Sequence, residues 1–331
     1  MNQDLLLRLF RSIEGDKNDD VVKVAGLIID EEKKKGHLTL AQKLTSILER
    51  NIQTSQQFRG ELRKMLPMGV SIPTDKRHNF PLASFIERDE LRHEMVLPAE
   101  TEEKINRIEK EYAARERLAH YGLKHKQKIL LYGGPGCGKS MSAERIAWNL
   151  GLPFLKVKFD VIISSYLGET ATNLAKLFDG IKDFPCVLLF DEFDIIGKTR
   201  SGSQDVGEMH RIVNMLLTLL EEYNSQGLFI ATTNLDNILD KALFRRFDDI
   251  IEIPKPTKEE IKRLLMLTLS SIEISKEISW SHLVDKMIGF SAALIVKIAN
   301  DAAKFAVIAN EKVLHQYHFE KSLSENALYL K

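Results

Sequence analysis

One glycine-rich segment constrains the fold of this chain more than any other. It reads Gly133-Gly134-Pro135-Gly136-Cys137-Gly138-Lys139-Ser140, which has the G-x-x-x-x-G-K-[ST] spacing of a phosphate-binding loop. Residues 128–132 before it predict a buried strand, and residues 141–150 after it predict a helix. In that context the glycines let backbone N–H groups face an anion, and the helix N-terminus adds a favourable dipole. A glycine-rich turn with a chance Lys-Ser pair is the alternative.

The loop residues have separate expected roles. Together with Met141 they would contact the phosphates of a nucleotide. Lys139 would bring a positive charge to the β and γ phosphates, and Ser140 would offer a hydroxyl to Mg²⁺. The predicted cofactors are therefore ATP and Mg²⁺.

Residues 80–255 alternate short apolar runs with helical segments. The predicted strands are 128–132, 154–158, 186–190, 228–232 and 250–253. This alternation predicts an α/β domain with a parallel sheet that helices cover on both faces. Pro254 and Pro256 mark a boundary, and Thr257 with Glu260 predicts a capping box at the start of a helix. We expect residues 256–331 to form an all-α domain.

The N-terminal part follows a different pattern. Residues 1–52 carry apolar side chains at helical spacing, for example Ala25, Ile28 and Ile29, and predict a small helical domain. Residues 53–79 are polar, with Pro67, Gly69 and Pro73 among them, and predict a linker.

Composition narrows the expected partners and location. The 331 residues include 47 Lys plus Arg and 47 Asp plus Glu, so no net charge favours nucleic acid or an acidic membrane. Cys137 and Cys186 are too few for a disulfide framework and fit a reducing cytoplasm. The first 16 residues lack the apolar core of a signal peptide, and no apolar run approaches the ~20 residues of a membrane span.

Polar residues follow two of the predicted strands. Asp191 and Glu192 end the run 186–190, and Asn234 follows the run 228–232. The carboxyl ends of parallel strands face a ligand crevice, so Asp191 would hold Mg²⁺, mostly through water. Glu192 would act as the base on an attacking water, which Asn234 would hold. The alternative for Asp191 and Glu192 is a strand that simply ends in solvated acids, and the alternative for Asn234 is an ordinary Asn turn.

These ordered motifs resemble the AAA family of ATPases, which form rings and remodel other molecules. The resemblance covers about residues 80–310. Asp191-Glu192-Phe193-Asp194 resembles the family's second acidic motif, and Asn234 resembles its sensor-1 residue. The resemblance implies a P-loop NTPase core with an α-helical lid, and ATP hydrolysis.

Residues 239–248 resemble the family's second region of homology, where two arginines act on a neighbouring subunit's ATP. The matching residues, Arg245 and Arg246, are adjacent here, whereas the family usually separates them by Pro-Gly. One of them could therefore be structural, and the alternative for both is a surface cluster with Asp248 and Asp249.

Three further positions are identified through the same resemblance. Residues 289–293 resemble the sensor-2 region but offer no arginine, so Ala292 is expected to pack near the nucleotide base. Tyr166-Leu167-Gly168 resembles the tripeptide that lines the pore of threading members, where a tyrosine can grip polypeptide. Its alternative is a tyrosine that covers the edge of the core. Cys137 stands where threonine is common, and it would react with thiol reagents if its thiolate were favoured.

The resemblance implies a hexameric, ATP-hydrolysing protein remodeller or unfoldase. Its N-terminal helices would recruit a substrate or partner, and its pore loops would pull polypeptide. The chain has no protease signature of its own, so a separately encoded effector such as a protease is a candidate partner. The alternative is a nucleotide-gated interaction switch that controls an effector without threading. A nucleic-acid motor fits less well, because the charge is balanced.

Overall fold

The computed structural model describes residues 25, 28–29, 41, 44–47, 72–75, 79–164, 169–193, 206–234 and 244–326. Its strands are β1 (Ala83–Ile86), β2 (Lys128–Tyr132), β3 (Phe154–Val157), β4 (Val187–Phe190), β5 (Leu228–Thr233), β6 (Asp249–Glu252), β7 (Glu273–Ile274) and β8 (Val313–Leu314). Its longer helices are α1 (Ala99–Ala113), α2 (Arg115–His120), α3 (Lys139–Leu150), α4 (Phe159–Ser164), α5 (Thr170–Ile181), α6 (Val206–Glu222), α7 (Lys258–Thr268), α8 (Trp280–Met287), α9 (Ala292–Ile308) and α10 (Gln316–Glu325).

The chain divides into two compact units. One comprises Met1–Phe85 with Lys158–Ile181, and the other comprises Ile86–Val157 with Lys182–Lys331. The first unit is helical at residues 25, 28–29, 41 and 44–47. The buried side chains among these residues, Ala25, Ile29, Ala41 and Leu44, fit the helical spacing seen in the sequence. The predicted domain boundaries at 52, 79 and 255 remain predictions.

The described part of the second unit contains a sheet with five parallel strands in the order β3-β4-β5-β2-β6. Leu131 of β2 lies opposite Thr232 of β5, and Phe190 of β4 lies opposite Ala231 of β5. Because the carboxyl ends of parallel strands meet at one edge, the segments that follow β2, β4 and β5 come together there. The predicted parallel α/β fold is confirmed.

Alternate side chains of these strands face opposite sides of the sheet. On one face the buried aliphatic residues pack with α1 and α3; they are Ile129, Leu131, Val187, Leu189, Leu228, Ile230 and Ile251. On the other face Phe229 packs against Phe190, with ring centroids 4.9 Å apart, and against Tyr223 and Phe247. The sheet is therefore buried on both faces, as its nearly continuous apolar strands predict.

Helices α7 to α10 share a second apolar core. The predicted capping box is present at the start of α7, where the Thr257 N–H donates to Glu260 Oε2 at 2.9 Å. The parallel pair β7 and β8 lies within the region predicted to be all-α. The sequence did not predict these strands because two residues are too few to show a period-two pattern. No helix among the described residues is long and apolar enough to cross a membrane.

Candidate nucleotide-binding site

The glycine-rich loop connects β2 to α3 through glycines in left-handed or otherwise positive-φ conformations. Gly133, Gly136 and Gly138 have φ of 144°, 71° and 103°. A Cβ at Gly133 would lie 2.3 Å from the backbone oxygen of Ile253, so no larger residue fits there. Glycine is required at this position because the end of β6 crosses the loop so closely.

The other predicted loop residues surround this turn. Pro135 and Gly136 are exposed at its tip, whereas Gly134 and Met141 are half-buried. Lys139 is 8% exposed, and its Nζ donates to the backbone oxygens of Gly133 and Gly134 at 2.9 and 2.8 Å. The positive charge of Lys139 therefore lies inside the loop, where a phosphate would also bind.

Asn234 lies at the same sheet edge as the loop and contacts it. Its Oδ1 accepts a hydrogen bond from Lys139 Nζ at 2.7 Å. This contact joins the end of β5 to the loop that follows β2. The two strands are direct neighbours in the sheet, which brings the two side chains together.

Asp191, at the end of β4, is the centre of a second set of contacts. One carboxylate oxygen accepts from Ser140 Oγ at 2.6 Å and from Thr232 Oγ1 at 2.7 Å. The other accepts from Lys156 Nζ at 2.6 Å. Burial by itself raises the pKa of Asp191, but the hydrogen bonds from Lys156, Ser140 and Thr232 outweigh it, so the pKa is lowered. Asp191 is therefore a carboxylate at neutral pH.

The predicted metal ligands fit Mg²⁺. Ser140 and Asp191, which are 51 positions apart in the sequence, are in direct contact. A hydroxyl and an ionised carboxylate are the hard oxygen donors that Mg²⁺ prefers. Sequence reasoning missed Lys156, although a lysine inside the apolar run Phe154-Leu155-Lys156-Val157 was a visible signal.

Glu192 has an unusual backbone. Its φ is 55°, and a non-glycine residue rarely adopts this left-handed region. Its side chain is exposed, and its N–H donates to Thr232 Oγ1 at 3.0 Å. The next N–H, of Phe193, donates to the backbone oxygen of Thr232 at 2.7 Å. Thr232 thus contacts both acidic residues, and sequence reasoning missed it.

The two adjacent arginines differ in their surroundings. Arg246 forms an ion pair with Glu221 of α6, and its Nε is buried. Arg245 is exposed and has no hydrogen bond or ion pair with the part of the chain that the structure describes. The cluster with Asp248 and Asp249, which was the alternative for both arginines, is absent among the described residues.

Those two acidic residues have other partners. Asp248 accepts from the backbone N–H groups of Gln127 and Lys128, and Asp249 pairs with Lys126. Neither carboxylate is therefore available as the partner of the arginine pair.

The start of α9 touches the glycine-rich loop. The Ala293 N–H donates to the backbone oxygen of Gly136 at 2.9 Å, and a Cβ at Gly136 would lie 3.0 Å from Ser291 Oγ. Ala292 itself packs against the apolar core of the C-terminal helices. Its predicted contact with a nucleotide base remains a prediction.

A segment before α1 also reaches the loop, and no sequence pattern predicted this contact. Ser142 Oγ of α3 donates to Met95 Sδ at 3.8 Å, and a Cβ at Gly138 would lie 3.3 Å from Met95 Cε. Val96, the next residue, packs against the core of the C-terminal helices. Met95 and Val96 thus connect the loop with those helices.

Cys137 is 4% exposed, and burial raises the pKa of its thiol in spite of nearby Lys139 and Lys255. The thiol therefore stays protonated at neutral pH, and the expected sensitivity to thiol reagents is not supported.

Tyr166-Leu167-Gly168 lies outside the described residues, as do residues 194–205 and 235–243.

The loop, its lysine and the acidic end of β4 define a P-loop nucleotide-binding protein. The sequence model of the family described as ATPase family associated with various cellular activities (AAA) matches residues 129–255. The uncharacterized AAA family ATPase y4kL of Sinorhizobium fredii (strain NBRC 101917 / NGR234) is 36% identical over 314 residues, which cover 94% of this chain and 92% of that protein. The chain belongs to the AAA family and is an ATPase.

A second relative matches a smaller part of this chain. The 26S proteasome regulatory subunit S10B homolog B of Arabidopsis thaliana is 34% identical over 209 residues. The match covers 61% of this chain and 52% of that protein.

Proposed function

We propose that this protein is an ATP-driven, hexameric protein remodeller that works in the cytoplasm. The observation that carries the proposal is the meeting of four predicted residues at one sheet edge: Lys139 with Asn234, and Ser140 with Asp191. The exposed Arg245 supports a ring, and the proteasome regulatory relative supports an action on proteins.

The chain's own residues divide the chemistry of ATP hydrolysis. Lys139 can transfer its hydrogen bonds from the loop carbonyls to the β and γ phosphate oxygens. Ser140 and Asp191 would hold Mg²⁺, which neutralises charge between these phosphates. Glu192, exposed at the end of β4, would accept a proton from the attacking water. Asn234 would orient that water while its contact with Lys139 reports whether phosphate is bound.

Arg245 would act on the site of a neighbouring subunit. Charge spreads over the γ-phosphate oxygens during transfer, and a guanidinium from outside the pocket stabilises that charge. Arg245 is exposed on its own subunit, which suits a contact across an interface. Arg246 is paired with Glu221 of its own chain and would hold the segment in place. A head-to-tail arrangement of this kind forms a ring where the rotation from one subunit to the next closes.

The substrate would be a polypeptide that Tyr166 grips in the axial pore. The proteasome regulatory relative supports a role in protein handling, and a separate effector such as a protease would receive the product. Helices within residues 1–52 would bind the substrate or partner. The free, buried thiols of Cys137 and Cys186 suit the reducing cytoplasm.

Tyr166→Ala tests the threading part of this proposal, with Tyr121→Ala as a matched control because Tyr121 is 75% exposed on α2's C-terminal side. Tyr166→Ala should keep ATPase activity and ring assembly but lose the unfolding of a fluorescent protein with an unstructured tail. Tyr121→Ala should keep all three. If Tyr166 only covers the core, the variant should melt early and lose ATPase activity too. Full unfolding activity in Tyr166→Ala would refute threading and favour the nucleotide-gated switch.

A further inference from the structure

Thr232, the fifth residue of β5, is 1% exposed, and its hydroxyl makes two hydrogen bonds at once. It donates to Asp191 Oδ1 at 2.7 Å and accepts from the Glu192 N–H at 3.0 Å. The backbone oxygen of the same residue accepts from the Phe193 N–H at 2.7 Å. One residue of β5 therefore holds three consecutive residues at the end of β4.

Glu192 needs such support more than its neighbours do. Its φ of 55° costs a non-glycine residue about 1–2 kcal/mol, so the conformation persists only where its surroundings fix it. Asp191 has two further donors, Ser140 and Lys156, and would stay in place without Thr232. The Thr232 hydroxyl is the partner that the structure gives to the Glu192 N–H.

The hydroxyl cannot be replaced by an apolar group of the same shape without loss. A valine at this position would present a methyl group to the Glu192 N–H and to the Asp191 carboxylate. The Glu192 N–H would lose its acceptor, and a donor without an acceptor favours another backbone conformation in which it is satisfied. Rotation of the backbone at Glu192 would move its carboxylate away from the sheet edge.

We propose that Thr232 is a positioning residue for ATP hydrolysis, which clamps the backbone of Glu192 so that its carboxylate faces the attacking water. The inference rests on the proposed role of Glu192 as the base. Thr232 touches no substrate in this account and acts through Glu192 and Asp191. Asn234, two residues after Thr232, is in contact with Lys139.

The test compares Thr232→Val with Thr232→Ser in the full-length protein. Thr232→Val should lower kcat by about tenfold to a hundredfold, because small displacements of a catalytic group have effects of this size. The KM for ATP and the Kd for ADP should stay within about twofold, since the loop residues are unchanged. Thr232→Ser keeps the hydroxyl and should restore most of kcat.

Thr101→Val is the matched control. Thr101 is 6% exposed on α1, and its hydroxyl donates to the Glu252 backbone oxygen at 3.4 Å, so this variant also removes a buried threonine hydroxyl. It should leave kcat unchanged. Equal kcat values for Thr232→Val and the unmodified protein would overturn the inference, and so would equal losses of kcat and ADP affinity.

Two comparisons keep the test decisive. If Thr232→Val does not bind ADP, Thr232→Ala and Thr232→Ser are compared instead, and the inference requires a clearly higher kcat for the serine variant. Glu192→Gln is measured in the same series. Retained turnover in Glu192→Gln would refute the proposed base, whereas lost turnover in Glu192→Gln with normal turnover in Thr232→Val refutes only the role of Thr232.

Discussion

Replacing Arg245 and Arg246 one at a time should separate catalysis from stability. The Arg246 ion pair with Glu221 has side chains that are 41% and 47% exposed, so the pair is worth about 0–1 kcal/mol. Arg246→Ala should therefore lower Tm by only a few degrees, about 2–4 °C per kcal/mol. Arg245→Ala removes an exposed side chain and should change stability by less than about 0.5 kcal/mol.

Turnover should fall more in Arg245→Ala than in Arg246→Ala, which is the opposite of the order expected for stability. An arginine supplied from a neighbour accelerates phosphoryl transfer by about 10³–10⁵, which corresponds to roughly 4–7 kcal/mol. Arg245→Ala should lose most of this acceleration while it still binds ATP. Arg246→Ala should also depress turnover, but less, because its proposed role is to hold the segment that carries Arg245.

The assay measures ATP turnover in rings that contain both Lys139→Ala and Arg245→Ala subunits. Lys139→Ala subunits lack a working pocket but carry Arg245, whereas Arg245→Ala subunits have the pocket and lack the arginine. In a random equal mixture about a quarter of the interfaces combine the two intact parts, so turnover should recover to about that share. No recovery in rings shown to have formed, or near-normal turnover of Arg245→Ala alone, would refute action across the interface.

Three further predictions concern the loop and its surroundings. Lys156→Met removes the cation paired with Asp191, so the Mg²⁺ concentration that half-saturates ADP binding should fall several-fold; an unchanged midpoint contradicts this. Gly136→Ala and Gly122→Ala, with φ of 71° and 70°, should each cost about 1–2 kcal/mol of stability. Only Gly136→Ala should weaken ADP binding, because only its Cβ meets the start of α9, and equal ADP affinities would oppose that reading. Burial raises the pKa of the Cys137 thiol, so maleimide labelling of the folded protein at pH 7 should be slow; rapid labelling at this cysteine would contradict the burial.

The sequence predicted the elements of the core because their patterns are local. The strand at 128–132 matches β2 residue for residue, and Thr257 with Glu260 marked the start of α7. The contact between Ser140 and Asp191 was also predictable, since both follow parallel strands whose carboxyl ends share one edge. The spacing of the loop motif and the shared edge of parallel strands were sufficient to predict this contact.

Other contacts depend on strand register, which the sequence does not state. Lys156 reaches Asp191 because β3 pairs with β4 so that Lys156 lies opposite Leu189. Thr232 reaches Asp191 because Phe190 lies opposite Ala231. The separation of Arg245 from Arg246 likewise depends on where Glu221 lies in space. Each of these required the three-dimensional arrangement of two elements distant in sequence.

ATP binding and ATP turnover of Glu192→Gln, measured on one preparation, test the central claim most directly. Glu192 lies beyond Asp191 at the end of β4, exposed at the edge where the loop, Asp191 and Asn234 meet. The variant keeps every residue expected to bind ATP and Mg²⁺, so its affinity should be near normal while turnover falls by about 10²–10⁴. Turnover close to that of the unmodified protein would show that another group accepts the proton and would contradict the account.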